Sequence, residues 1–143
     1  MAKDYNYKVL ISRLGEAIKD EFFLEASWLA YAILEDRLVS ALDETGGAVT
    51  TTGRPIRMLG PKLGEIKARQ QSVLNLRKAF FGDMLDRLDA WKDQRNDLMH
   101  AMADESKSIS EIDQLAQDVA ISGRDLVRDF CAACRRLKRF NRG

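Results

Sequence analysis

Met84-Leu85-Asp86-Arg87-Leu88-Asp89-Ala90-Trp91-Lys92-Asp93-Gln94-Arg95-Asn96-Asp97-Leu98-Met99-His100-Ala101-Met102 is the stretch that decides the fold class. Met84, Leu88, Trp91, Leu98 and Met102 recur at steps of three, four and seven. That spacing places them on one apolar stripe of an α-helix. Arg95 interrupts the stripe between Trp91 and Leu98. A guanidinium on a core-facing seam costs on the order of several kcal/mol unless it is paired or hydrogen-bonded. A fixed positive charge in a partly dry place is therefore expected here. His100, the only histidine of the chain, lies about 7.5 Å further along the helix axis.

The same helical periodicity extends in both directions. Leu10, Leu14, Ala17 and Ile18 mark a first helix over about 4–20, with Asp4 as its candidate cap. Phe23, Ala26, Ala30, Ile33, Leu34, Ala41 and Leu42 line a second over about 22–44. Trp28 and Tyr31 point to another side of it, and Phe22, Phe23, Trp28 and Tyr31 are expected in the core rather than as a base-stacking platform. Residues 45–58 carry glycines, threonines and Pro55 and break the pattern. Such a loop is long for a compact helical domain, which hints at function or mobility.

Pro61 sits well in the first turn of a short helix opening at Gly60. A fourth helix is predicted over about 78–103, and a fifth from a Ser110 cap to about 139. Ile112, Leu115, Ala116, Val119, Gly123, Leu126, Val127, Phe130, Cys134 and Leu137 mark the buried face of the fifth. No segment alternates as a strand would, apart from weak β-propensity at 48–52. The reading is all-α: an antiparallel bundle of four long helices plus a short extra helix, in one domain over 1–143.

A chain of 143 residues with 45% hydrophobic and 31% charged content suits one globular domain with a real core. No run of eighteen apolar residues occurs, and Met1-Ala2-Lys3-Asp4-Tyr5 lacks a signal-peptide stretch. A cytoplasmic protein without a membrane partner is expected. The net charge of +1 hides segregation: residues 1–53 carry −4, 54–78 carry +6, 79–118 carry −6 and 119–143 carry +5. Either the basic segments form a surface for a polyanion, or they face the acidic ones within the chain or across a dimer. The RNA-contact candidates are Arg54, Arg57, Lys62, Arg69, Arg135, Arg136, Lys138 and Arg139.

Arg95 and His100 point about 140° apart on one helix, so they cannot readily grip one atom. A two-fold dimer brings a second copy of each and allows convergence. Asn96, one turn before His100, is placed to hydrogen-bond it or a ligand. Asp93, Asp97 and Asp104 flank that face. The competing view makes His100 an ordinary surface residue and lets Arg95 snorkel to Glu35 or Asp36. Cys131-Ala132-Ala133-Cys134 has no second ligand pair for zinc and no βαβ setting for redox work, so packing is expected.

Arg95-Asn96, three residues, His100, late in the penultimate long helix, resembles the signature of the HEPN superfamily. That signature is an arginine separated from a histidine by four to six residues. The polar Asn96 after the arginine and the charged Glu35-Asp36-Arg37 in the second helix fit it as well. The resemblance implies a dimeric, metal-independent endoribonuclease without a cofactor. It further implies RNA as substrate, catalysis by Arg95, His100 and Asn96, and a setting in toxin–antitoxin or phage-defence systems with a cognate antitoxin or defence protein. A subgroup carries a tyrosine two residues after the histidine, as the target of a nucleotidyltransferase. Met102 stands there, which speaks against silencing by that route. The alternative is a non-catalytic helical dimer that binds a protein partner or RNA.

Overall fold

A computed structural model describes residues 2–143, with side chains from residue 8 onward. Six helices pack against one another: α1 (Ala2–Lys19), α2 (Phe23–Asp43), α3 (Leu59–Arg69), α4 (Leu74–Ala79), α5 (Met84–Asp104) and α6 (Ile109–Arg142). The all-α bundle is as expected, with four long helices and one more short helix than the sequence indicated. The Asp4 side chain lies outside the described residues.

The additional element comes from a break in the predicted fourth helix. Gly82 adopts φ +66, in the left-handed region where a glycine carries no Cβ penalty. Phe80, just before it, is buried and meets Phe130 edge-on at 5.5 Å between ring centroids. Tertiary burial of Phe80 and the glycine turn together separate α4 from α5. The last helix also starts earlier than expected. Its cap is Ser108, not Ser110: Ser108 Oγ accepts from the Glu111 backbone N–H at 3.2 Å, and Glu111 accepts from the Ser108 N–H at 3.1 Å. This reciprocal capping box satisfies two otherwise orphaned donors.

The centre of the bundle is α6, which packs on α1, α2, α4 and α5. Its stripe Val119, Gly123, Leu126, Phe130, Cys134 and Leu137 is buried throughout. Gly123 permits a close crossing, since a Cβ there would stand 2.9 Å from Trp91 Cζ2 and 3.0 Å from the Ala30 Cβ. With no side chain in the way, the indole lies on the α6 backbone and Trp91 Nε1 donates to the Val119 carbonyl at 2.9 Å. Cys131 and Cys134 are both buried in α6. Burial pushes the Cys134 thiol up to about 11, and its S–H donates to the Arg37 carbonyl at 3.3 Å.

The start of the 45–58 segment is gathered by one side chain. Arg69 Nη1 donates to the Leu42 and Thr45 carbonyls at 3.0 and 3.3 Å and to Thr45 Oγ1 at 3.1 Å. Arg69 Nη2 donates to the Gly47 and Val49 carbonyls at 2.7 and 3.1 Å. A single bridge, Val49 to Pro55, closes a small hairpin beyond them. The planar fork is what lets one residue reach so many acceptors, and an ammonium has no equivalent. Arg69→Lys is expected to cost about 2–3 kcal/mol, since hydrogen bonds from a charged donor are lost and part-buried carbonyls are left unpaired. Urea denaturation measures the cost, and limited proteolysis should show new cleavage within 45–58.

Candidate functional site

Arg95 is half-buried on the side of α5 that faces Tyr31 of α2. Its guanidinium stacks over the Tyr31 ring with Cζ 4.1 Å from the centroid. Tyr31 leans on Trp91, ring centroids 6.5 Å apart, and Trp91 rests on Gly123. The seam position that the sequence marked as odd is therefore the outer end of a stack running from α6 through Trp91 and Tyr31 to Arg95. An arginine over an aromatic face gains cation–π energy without losing its charge. Nε of Arg95 is buried and has no hydrogen-bond partner among the described residues, and none of them forms an ion pair with this guanidinium.

The carboxylates that the sequence offered to Arg95 are engaged elsewhere. Glu35 pairs with Lys62 at 3.2 Å, and Asp36 binds the adjacent Arg37. Lys62 is buried in that pair. Through this pair α3 packs on α2 at Glu35. Tyr31, Arg95 and Met99 are half-buried, and Leu24 and Trp28 of α2 and Met102 of α5 are exposed.

His100 and Asn96 are exposed on another face of α5. His100 belongs to a stripe of carboxylates, Asp86, Asp89, Asp93, Asp97 and Asp104, at steps of three and four. Toward the start of α5 this stripe is offset by lysines. Lys67 pairs with Asp86 at 3.3 Å and Asp89 at 3.0 Å, and Lys92 with Asp89 at 3.2 Å. The Asp89 carboxyl is held below its ordinary range, first by the Lys67 hydrogen bond. Among the described residues no lysine pairs with Asp97 or Asp104, beside His100. Asp104 is also held below the usual carboxylate range, mainly by hydrogen bonding from Ser106 and to a lesser degree by the charge of His100. Asn96 and His100 make no hydrogen bond to each other.

The basic candidates fall in three places. Arg54 and Arg57 are exposed on the loop before α3. Lys62 and Arg69 are committed to the contacts described above. Arg136 closes the end of α4, donating to the Ala79 carbonyl through Nε at 3.1 Å and Nη2 at 2.7 Å. It also stacks over Phe81 with Cζ 4.8 Å from the centroid. Arg135 and Arg139 remain exposed, and Lys138 is half-buried. Trp91 stands level with Val119, and α5 and α6 run antiparallel, so His100 and Arg139 are about 40 Å apart along the bundle. One copy of the chain does not bring the Arg95–His100 region and the C-terminal cluster together.

Three apolar expectations change. Met102, assigned to the buried stripe, is 43% exposed, and Phe22 and Trp28, assigned to the core, are 59% and 63% exposed. Near its end α5 buries Leu98 and Ala101 instead, which turns Met102 outward. Sequence reading passed over Tyr31 as the partner of Arg95. The available signal was the series Leu24, Trp28, Tyr31 and Glu35 at steps of four, three and four on α2. Among the described residues no cluster of histidine, cysteine or carboxylate side chains is arranged to hold a metal, and no helix is long and apolar enough to cross a membrane. Comparison with known proteins finds no matching family model, no matching curated protein and no matching solved structure.

Proposed function

We propose that this chain is a metal-independent endoribonuclease of the HEPN type, acting as a homodimer in a toxin–antitoxin or phage-defence setting. The observation that supports it best is Arg95: a guanidinium fixed on Tyr31, without a counter-charge among the described residues, on the same helix as Asn96 and His100. A planar cation held this way suits two oxygens of a phosphodiester.

In the proposed reaction the 2′-oxygen of one ribose attacks the adjacent phosphorus. A neutral imidazole takes the 2′-hydroxyl proton as the new P–O bond forms. The 5′-oxygen leaves with its bonding electrons and receives a proton from a protonated imidazole. The products are a 2′,3′-cyclic phosphate and a 5′-hydroxyl end. The two histidines are the His100 residues of two copies, since the splay of Arg95 and His100 leaves one copy without a complete site. Arg54, Arg57, Arg135 and Arg139 carry the flanking RNA, the distant pair through the span of the dimer. Localisation in the cytoplasm belongs to the same proposal.

Exposed Phe22, Leu24, Trp28, Met102 and Ile109 and the carboxylates around His100 favour a second reading, a non-catalytic helical dimer that binds a protein partner. The deciding experiment is incubation with single-stranded RNA in EDTA, with analysis of product ends. Cyclic phosphate ends are the expected result, and intact RNA across varied sequences would favour the second reading. RNA affinity is also expected to fall steeply between roughly 50 and 200 mM salt, because each neutralised phosphate releases counterions. Binding indifferent to salt would remove the arginines from this role.

A further inference from the structure

We propose that Trp28 is a stacking platform for a nucleobase of single-stranded RNA, seated beside the phosphate held at Arg95. The inference rests on the nuclease reading and adds a subsite to it. Trp28 is 63% exposed, although the buried residues of the same helix include Ala26, Ser27, Ala30, Ile33 and Leu34. Among the described residues no hydrogen bond or ring contact uses this indole. It stands three residues before Tyr31, so the two positions share one face of α2. Tyr31 carries the Arg95 guanidinium at 4.1 Å. An exposed π-face therefore stands one turn of α2 from the ring that carries a cation with no ion-pair partner among the described residues.

That pairing matches one nucleotide unit: a flat base for the indole and an anionic phosphate for the guanidinium. A purely apolar partner helix would cover Trp28 but leave Arg95 without an anion. α3 meets α2 at Glu35 through Lys62, about two turns or more along α2 from exposed Leu24 and Trp28. The α5 carboxylates do not oppose a phosphate here. Asp93, Asp97 and Asp104 lie on the His100 stripe, roughly half a turn around α5 from Arg95 at 100° per residue. Stacking on an indole tolerates any base, so the subsite supplies affinity and register with little sequence preference.

The test uses the whole chain and an oligoribonucleotide with 2′-O-methyl groups, which binds but lacks the attacking hydroxyl. The chain has two tryptophans, and Trp91 is buried and hydrogen-bonded, so quenching on RNA addition reads Trp28. Strong quenching is expected, and it should vanish in Trp28→Phe while affinity is kept within a few-fold. Trp28→Ala should weaken affinity about tenfold to a hundredfold and raise KM with little change in kcat on a cleavable RNA. Equal affinity of Trp28→Ala and the parent, with Arg95→Ala impaired, would overturn the platform and leave the nuclease reading standing. Conversion of a dimer to a monomer by Trp28→Ala in sedimentation would overturn it in favour of a second protein chain over this face. Absence of any RNA binding by the parent protein would overturn both.

Discussion

Replacement of His100 by alanine is expected to lower RNA cleavage by about 10²–10⁴-fold, the usual worth of a general acid–base group. Folding stability should stay within about 0.5 kcal/mol of the parent, as for most surface substitutions. The imidazole is exposed and makes no hydrogen bond among the described residues, so the fold loses little when it goes. No other imidazole exists in the chain to replace it. Arg95→Ala should also remove activity, but by a different route. It deletes the phosphate-binding cation and strips the cover from Tyr31, so a change in stability is expected alongside. The contrast between a silent fold in one variant and a perturbed fold in the other distinguishes a proton-transfer group from a group built into the packing. Undiminished cleavage by His100→Ala would refute its catalytic assignment.

Trp91→Ala should have the largest effect on stability, about 3–5 kcal/mol. The indole is 3% exposed, fills the space left by Gly123, and donates to the Val119 carbonyl. Its removal opens a cavity at the crossing of α5 and α6 and takes the support from beneath Tyr31. Activity should therefore fall even at temperatures where the variant is folded, because the Tyr31 ring that carries Arg95 loses its support. Trp91→Phe retains most of the volume and loses the N–H donor, for about 0.5–1.5 kcal/mol. Gly123→Ala approaches the same junction from the other side, by overpacking, at about 1–3 kcal/mol. Thermal or urea unfolding of the three variants gives the ranking. A small loss in Trp91→Ala would mean that this crossing is not where the bundle is held.

Much of the helical architecture was legible from residue spacing, because each helix closes its own backbone hydrogen bonds and exposes its buried face every three to four residues. Leu14, Ala30, Leu88, Val119 and Phe130 were assigned correctly on that ground, and Pro61 marked the first turn of α3. Ends were harder. Ser108 and Ser110 both suit a cap, and only the Glu111 carboxylate returning to the Ser108 N–H separates them. Gly82 was read through as helix because one glycine is tolerated there by local propensity alone. The edge-on packing of Phe80 on Phe130 is a contact across 50 residues, and no local pattern announces it.

The sequence by itself determined an all-helical chain, the places of its apolar faces, the segregation of its charge, and the anomaly of a charged residue at position 95. These follow from local geometry, where neighbours along the chain are neighbours in space. Tertiary structure alone decided which groups meet across helices. It put Tyr31 rather than Glu35 under Arg95, gave Glu35 to Lys62, spent Arg69 on the carbonyls of the 45–49 turn, and left Trp28 bare. It also set the C-terminal arginines about 40 Å from His100, through the antiparallel run of α5 and α6. The physical reason is that a side chain's partner depends on the crossing and axial offset of two helices. Those are set by the packing of many residues at once, with Gly123 and Trp91 at the centre.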